Sequence, residues 1–109
     1  MNIRALTENH CELLSQAYRR QCPKSIELGM ERVYMITEGR RYFKIVGAYR
    51  EDIGVSGASV HAFVDKSNGD LYMAASWNQP AKGVRFNLER DSEKLQQVVD
   101  WSGGYLYKR

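Results

Sequence analysis

The segment from Trp77 to Asn87 gathers the residue types best suited to chemistry in this chain. It holds an indole at Trp77, side-chain amides at Asn78, Gln79 and Asn87, and cations at Lys82 and Arg85. Pro80 and Gly83 keep it out of continuous helix or strand. The mixture suits a nucleotide. A base stacks on the flat ring, an amide reads a base edge or a ribose hydroxyl, and Arg or Lys takes phosphate. Base–aromatic stacking contributes on the order of 1–3 kcal/mol. The same residue types also fit a plainer role, with Trp77 a core aromatic and Arg85 a solvated charge. Further cations fall at strand ends: Arg40, Arg41, Arg50, Lys108 and Arg109. Such charges protect sheet edges, or form an anion site where several converge.

Other chemistries find little footing. Cys11 and Cys22 stand eleven apart and make no CxxC pair. They read as small reduced thiols on a helix. His10 adjoins Cys11, but neighbours on a helix point about 100° apart and make a poor metal pair. The expectation is no metal and no cofactor. No GxSxG, HExxH, Walker loop or dinucleotide GxGxxG occurs. Nothing local supports a Cys11–His61 nucleophilic pair. His61 and Asp65 share one face of a strand but lie roughly 13 Å apart along it, too far for joint acid–base work. No catalytic residue is assigned, and an enzyme is the least favoured class.

The elements that must position the Trp77 segment follow from periodicity. Thr7 is a suitable N-cap and Glu8 suits the positive end of a helix over about residues 8–20, with Leu13, Leu14, Ala17 and Tyr18 inside it. Arg19 and Arg20 suit its C-terminal end, and Pro23 marks the stop. The period then changes to two. Residues 32–37, 41–49, 58–65 and 70–76 read as strands, with a turn at Glu38-Gly39-Arg40, a loop over 50–57 and an Asn68-Gly69 hairpin signal. In the third of these, Val60, Ala62 and Val64 alternate against His61, Phe63 and Asp65. Asp91 caps a short second helix carrying Leu95, Val98 and Val99, which Gly103-Gly104 end. Residues 105–109 alternate and suit a last short strand. The fold class is α+β: an antiparallel four- to five-stranded meander, with an N-terminal helix and a short C-terminal helix packed on one face.

The whole chain bounds these readings. Its 109 residues form a single domain, 1–109. An apolar fraction of 43% and a charged fraction of 27% mark a globular chain rather than a disordered one. Sixteen Lys and Arg against thirteen Asp and Glu leave a net charge of +3, low for a duplex-DNA binder. Apolar runs are too short for a membrane span, and Met1–Arg4 opens no signal-peptide core, so a soluble intracellular domain is expected. A domain this small encloses little cavity alone, which favours a site between subunits. Most of the seven tyrosines suit sheet faces, and some suit a subunit contact.

One longer pattern stands out. The run Val60-His61-Ala62-Phe63-Val64-Asp65-Lys66 is followed by Gly69-Asp70-Leu71-Tyr72, by Ala75-Ser76-Trp77, and by Pro80-Ala81-Lys82-Gly83-Val84-Arg85-Phe86-Asn87. This resembles the signature of small phage proteins that form the first family of Thoeris anti-defence proteins. The likeness is clear over about residues 58–88 and extends plausibly over the chain. It implies a sponge that binds cyclic nucleotide immune signals without cleaving them. The implied ligands are glycocyclic ADP-ribose from the host's Thoeris TIR enzyme, and cyclic di- and trinucleotides of CBASS systems. The resemblance also implies a homo-oligomer, dimer or hexamer, with pockets where subunits meet, in the cytoplasm of the infected bacterial host. An aromatic residue and an asparagine ten positions later form the family's ADP-ribose pocket, matching Trp77 and Asn87; the family often has Phe where this chain has Trp77. Arginines before the third strand and near the C-terminus serve phosphates, for which Arg50 and Arg109 are the nearest counterparts. Met73-Ala74 stands where many members carry Lys-Pro. Lys82 and Arg85 complete the expected ligand-binding set. The alternative is a small single-stranded nucleic-acid-binding phage accessory protein, with Tyr42, Phe43, Lys44, Tyr72 and Trp77 as a stacking surface. The modest charge disfavours it.

Overall fold

A computed structural model describes residues 2–51 and 54–107. Helix α1 spans Ile3–Gln21, earlier than the sequence predicts. Asn2 caps it, its Oδ1 accepting from the Ala5 N–H at 3.0 Å. Thr7, the expected cap, lies inside the helix, where its buried hydroxyl donates to the Ile3 carbonyl at 2.8 Å. That back-bond satisfies a polar group that α1 turns inward. Thr7, His10, Cys11, Leu14, Ala17 and Tyr18 form the buried stripe, at helical spacing. Pro23 ends α1 and also opens a one-turn helix, α2 (Pro23–Glu27).

Five antiparallel strands follow in sequence order, a pure meander. They are β1 (Glu31–Glu38), β2 (Tyr42–Glu51), β3 (Gly54–Asp65), β4 (Asp70–Met73) and β5 (Phe86–Asn87). The expected loop over 50–57 is mostly strand. Arg50 pairs with Val55 and Tyr49 with Ser56, so the β2–β3 ribbon continues past the body of the domain. Residues 54–59 are exposed, which is why no alternation betrays this part of the strand. A register slip facing Ile45 and Val46 leaves His61 without a cross-strand partner. At this bulge the expected alternation fails, and His61 turns into the interior.

The β3–β4 connection is longer than a two-residue hairpin. The Gly69 N–H donates to the Asp65 carbonyl at 2.9 Å, and Gly69 takes φ +82°. After β5, α3 (Ser92–Val98) begins behind Asp91. The Asp91 side chain makes no cap within α3 and instead accepts from the Asn87 N–H at 2.8 Å. Gly104–Leu106 form a 3-10 turn where the sequence suggests a strand, and residues 108 and 109 lie outside the described residues. The turn drops Leu106 into the core, which a strand pairing at the sheet edge would not do.

One core joins these elements: Cys11, Leu14 and Ala17 of α1 pack on Phe43, Ile45, Ala62, Val64 and Leu71 of the sheet, with Leu88, Leu95, Val99 and Leu106 closing the end. Both cysteines are free, and burial pushes the Cys11 thiol up to about 12. Among the described residues no helix is long and apolar enough to cross a membrane.

A polar knot runs through this core. The Tyr105 hydroxyl lies 2.8 Å from His10 Nε2 and 2.8 Å from His61 Nε2. Burial lowers His10 to about 4. Burial first, then the nearby His10 and Arg32, lower His61 to about 3. Both rings are therefore neutral in the fold but titrate near 6.5 in the unfolded chain. Between those values the unfolded chain binds more protons, so stability is fully present above about pH 7 and is lost as pH falls. Urea melts are expected to show stability dropping toward about pH 5, with a slope approaching about 1.4 kcal/mol per pH unit for each histidine. A flat profile over that range contradicts the buried neutral pair.

Candidate functional site

Trp77 sits at the tip of an irregular hairpin. Ala74 bridges Pro80, the Ala75 and Ser76 N–H groups donate to the Gln79 carbonyl at 2.9 and 3.1 Å, and Ala81 N–H donates to the Met73 carbonyl at 2.7 Å. This ladder prolongs β4 and presents the indole half exposed, at 50%. It is no core aromatic. Lys44 on β2 places Nζ 5.0 Å from the Trp77 ring centroid and donates to Asn78 Oδ1 at 3.3 Å. An indole, an ammonium and an amide thus meet at one point.

Asn87 lies elsewhere. It pairs with Asp70 at the far end of β4 from the Trp77 loop. The four steps from Asp70 to Ala74 alone span about 13 Å along the strand, and Trp77 lies beyond them at the hairpin tip. The Asn87 side chain is also occupied. Its Nδ2 donates to the Asn68 carbonyl and to Asp70 Oδ1, both at 2.9 Å. Its Oδ1 accepts from the Glu89 and Arg90 N–H groups at 3.1 and 2.9 Å. Asn87 therefore ties the β3–β4 turn to the start of the C-terminal segment.

The remaining expected cations have individual settings. Arg85 donates through Nε to the Leu106 carbonyl at 2.6 Å, and through Nη1 to the Lys82 and Gly83 carbonyls at 2.9 and 2.6 Å. It buttresses the hairpin against the C-terminal turn. Lys82 is exposed beside it. Arg50 bonds Glu31 Oε2 at 2.9 Å, and Arg19 holds the other carboxylate oxygen. The hydrogen bonds from Arg19 and then Arg50 keep the Glu31 carboxyl below its usual range. Arg109 lies outside the described residues. The structure thus brings Lys82 and Arg85 together just before β5, with Asn87 two residues on, and does not bring Asn87 to Trp77.

The stacking surface of the alternative reading is incomplete. Tyr42, Phe63 and Tyr72 form an edge-to-face row, with ring centroids 5.8 and 5.9 Å apart. Phe43 alternates onto the opposite face and is buried in the core, and Phe63 is 3% exposed. His61 and Asp65 are both committed. His61 is held by Tyr105. Burial pushes the Asp65 carboxyl up, but hydrogen bonds from the Ser67 hydroxyl and N–H, then Arg41, bring it below its usual range.

Sequence reasoning missed Arg32. It shares the inward phase of β1 with Tyr34 and Ile36, yet it is 7% exposed. Its guanidinium lies 4.7 Å from the Tyr49 ring centroid and 5.7 Å from those of Tyr34 and Trp101. Nη2 donates to Ser59 Oγ at 2.9 Å, while Nε is buried without a partner. Among the described residues no carboxylate lies within ion-pair distance of it. A cleft of about 400 Å³ opens here, lined by Arg32, Ser59, His61, Trp101, Gly103 and Tyr107 among others. The signal for it in the sequence is Gly47, inside β2. A Cβ there would stand 2.7 Å from Arg32 Nη2, so glycine makes the room the guanidinium occupies.

A family model covers residues 1–108, nearly all of the sequence. The chain belongs to DUF7717, a family of unknown function. No curated protein matches it, and no solved structure does. The DUF7717 chain offers two polar sites of different character: the half-exposed Trp77–Lys44–Asn78 point and the recessed Arg32 cleft. Among the described residues no group of three His, Cys, Asp or Glu side chains is placed to hold a metal ion.

Two substitutions separate structure from site. Asn87→Ala removes four hydrogen bonds and is expected to cost about 1–3 kcal/mol of stability. Trp77→Ala removes a half-exposed ring and is expected to stay within about 0.5 kcal/mol of wild type. Urea denaturation of both variants checks the ordering, and the reverse order contradicts this division of labour.

Proposed function

We propose that this chain is a phage anti-defence sponge. It binds and sequesters cyclic nucleotide immune signals, glycocyclic ADP-ribose foremost and cyclic di- or trinucleotides besides, in the cytoplasm of the infected bacterial host. The observation that carries the reading is the Trp77 indole, half exposed on a braced hairpin tip with the Lys44 ammonium 5.0 Å from its centroid. A purine stacks on such a ring, and the ammonium meets phosphate. The likeness over residues 58–88 to Thoeris anti-defence proteins supports the same ligand class.

The pocket forms between two copies. Trp77 and Asn87 stand more than about 13 Å apart along the β4 direction in one chain, so a ligand touching both elements is clasped most simply by Trp77 of one protomer and the Asn87 turn of its partner. A C2 contact makes two such pockets from one surface. In that pocket Asn87 supplies a fixed turn rather than a free amide. Sequestration needs affinity and slow release, not transition-state stabilisation. A nanomolar complex corresponds to about 12 kcal/mol, within reach of stacking and charge-assisted hydrogen bonds in a desolvated interface.

Calorimetric titration tests this. Wild type is expected to bind glycocyclic ADP-ribose tightly and saturably, and Trp77→Ala to bind it at least about tenfold more weakly. The ligand should be recovered uncleaved after heating. Binding of a single-stranded oligonucleotide alone, weakening with salt, would overturn the reading in favour of a nucleic-acid accessory protein.

A further inference from the structure

We propose that the Arg32 cleft is a second, independent binding site, which takes the phosphate group of a small organic phosphate. The first ground is an unfilled fork. A guanidinium carries five N–H donors, and the hydrogen bond found for Arg32 goes to Ser59 Oγ, at 2.9 Å. Nε is buried and unpartnered, and the side chain is more than nine-tenths buried. Burying a charge in this way is costly unless something answers it. The Tyr34, Tyr49 and Trp101 rings answer part of it through cation–π contact. They leave Nε without an acceptor beside the Nη2 that Ser59 holds, and a tetrahedral or planar oxyanion fits that Nε–Nη2 edge two donors at a time.

The second ground is access. Arg32 lines an open cleft of about 400 Å³. That volume falls in the range of small-ligand sites. Ser59 Oγ stands beside the fork as a hydroxyl that donates or accepts. Tyr107, 65% exposed, and Trp101 give the cleft aromatic walls for the organic part of the ligand. The acid nearest in sequence to this wall, Asp100, is already spent. Its carboxylate accepts from the Ser102 N–H and hydroxyl and from the Gly103, Gly104 and Tyr105 N–H groups, at 2.6 to 3.1 Å. His61, on the cleft wall, has Nε2 bound to Tyr105 and brings no positive charge near neutral pH.

The third ground is that the residues around Arg32 hold the fork in place. Gly47 leaves the space it fills, and Tyr34 is itself fixed by its hydroxyl donating to the Trp101 carbonyl at 2.8 Å. Met73 and Ala74, at the base of the Trp77 hairpin, line this cleft, but Trp77, Lys44 and Asn78 do not, so binding here and binding at Trp77 are lost by different substitutions.

The test is an NMR titration of wild-type protein labelled with 15N-arginine, using inorganic phosphate, adenosine monophosphate and acetate as probes. The Arg32 Nε–H resonance, assigned by its loss in Arg32→Lys, should shift saturably with phosphate, and at lower concentration with the nucleotide. Ser59→Ala, at an exposed position, keeps the fold and should weaken phosphate binding several-fold; Arg32→Lys should weaken it about tenfold or more. Two outcomes overturn the proposal: an Arg32 resonance that phosphate does not move, or one that moves only in step with exposed arginines such as Arg90. A response to acetate alone overturns the phosphate assignment. If Arg32→Lys fails to fold, the Arg32 resonance is assigned instead by its shift in Ser59→Ala, whose hydroxyl it contacts, and the wild-type titration still decides the matter.

Discussion

A single hydroxyl, that of Tyr105, holds three distant parts of the chain in one place. It reaches His10 on α1 and His61 on β3, each at 2.8 Å, from the turn that closes the molecule. For the bond to form, β3 must bulge to turn His61 inward, α1 must present His10 on its buried stripe, and Gly104–Leu106 must fold tightly enough to bring Tyr105 home. The Asp100 carboxylate organises that turn by taking the backbone N–H groups of Gly103, Gly104 and Tyr105. Leu106 follows into the core. The cleft beside Arg32 exists because this turn ends there.

The polar side chains divide by whether their capacity is used. Asn87 has both ends of its amide bonded, Arg85 spends Nε and Nη1 on backbone carbonyls, and Glu31 gathers Arg19 and Arg50. These groups build the frame. Trp77 with Lys44, and Arg32, retain surface or donors that the fold does not consume. A buried donor without an acceptor costs on the order of 1–3 kcal/mol, more when charged. The cost of Arg32 Nε beside an open cleft is the ground for the phosphate site proposed there.

Much of this was legible in the sequence where one periodicity served one face. The apolar stripe of α1 and the alternation of β2 gave the meander and its packing, and the α+β class followed. The misses share a cause. Thr7 looked like a cap because caps and buried back-bonding threonines carry the same side chain. The ribbon from Gly54 to Ser59 has no buried face, so nothing in its pattern marked a strand. Alternation sets His61 opposite Val60 and Ala62, and a bulge reverses that order without leaving a residue-type signature. The resemblance implies one pocket for Trp77 and Asn87, yet Asn87 pairs at the start of β4 and Trp77 lies on the hairpin beyond its end. Arg32 was passed over because a lone arginine in a strand reads as solvated. Only Gly47 on the adjacent strand hinted otherwise.

The central claim is that a signal nucleotide is held, uncleaved, between copies of this chain. Native mass spectrometry of the wild-type protein with glycocyclic ADP-ribose tests it most directly. The expected result is intact ligand carried by assemblies of two or more chains and absent from the monomer. Ligand carried by a single chain would contradict the shared pocket, and ligand carried by no species, or found only as cleavage product, would contradict sequestration itself.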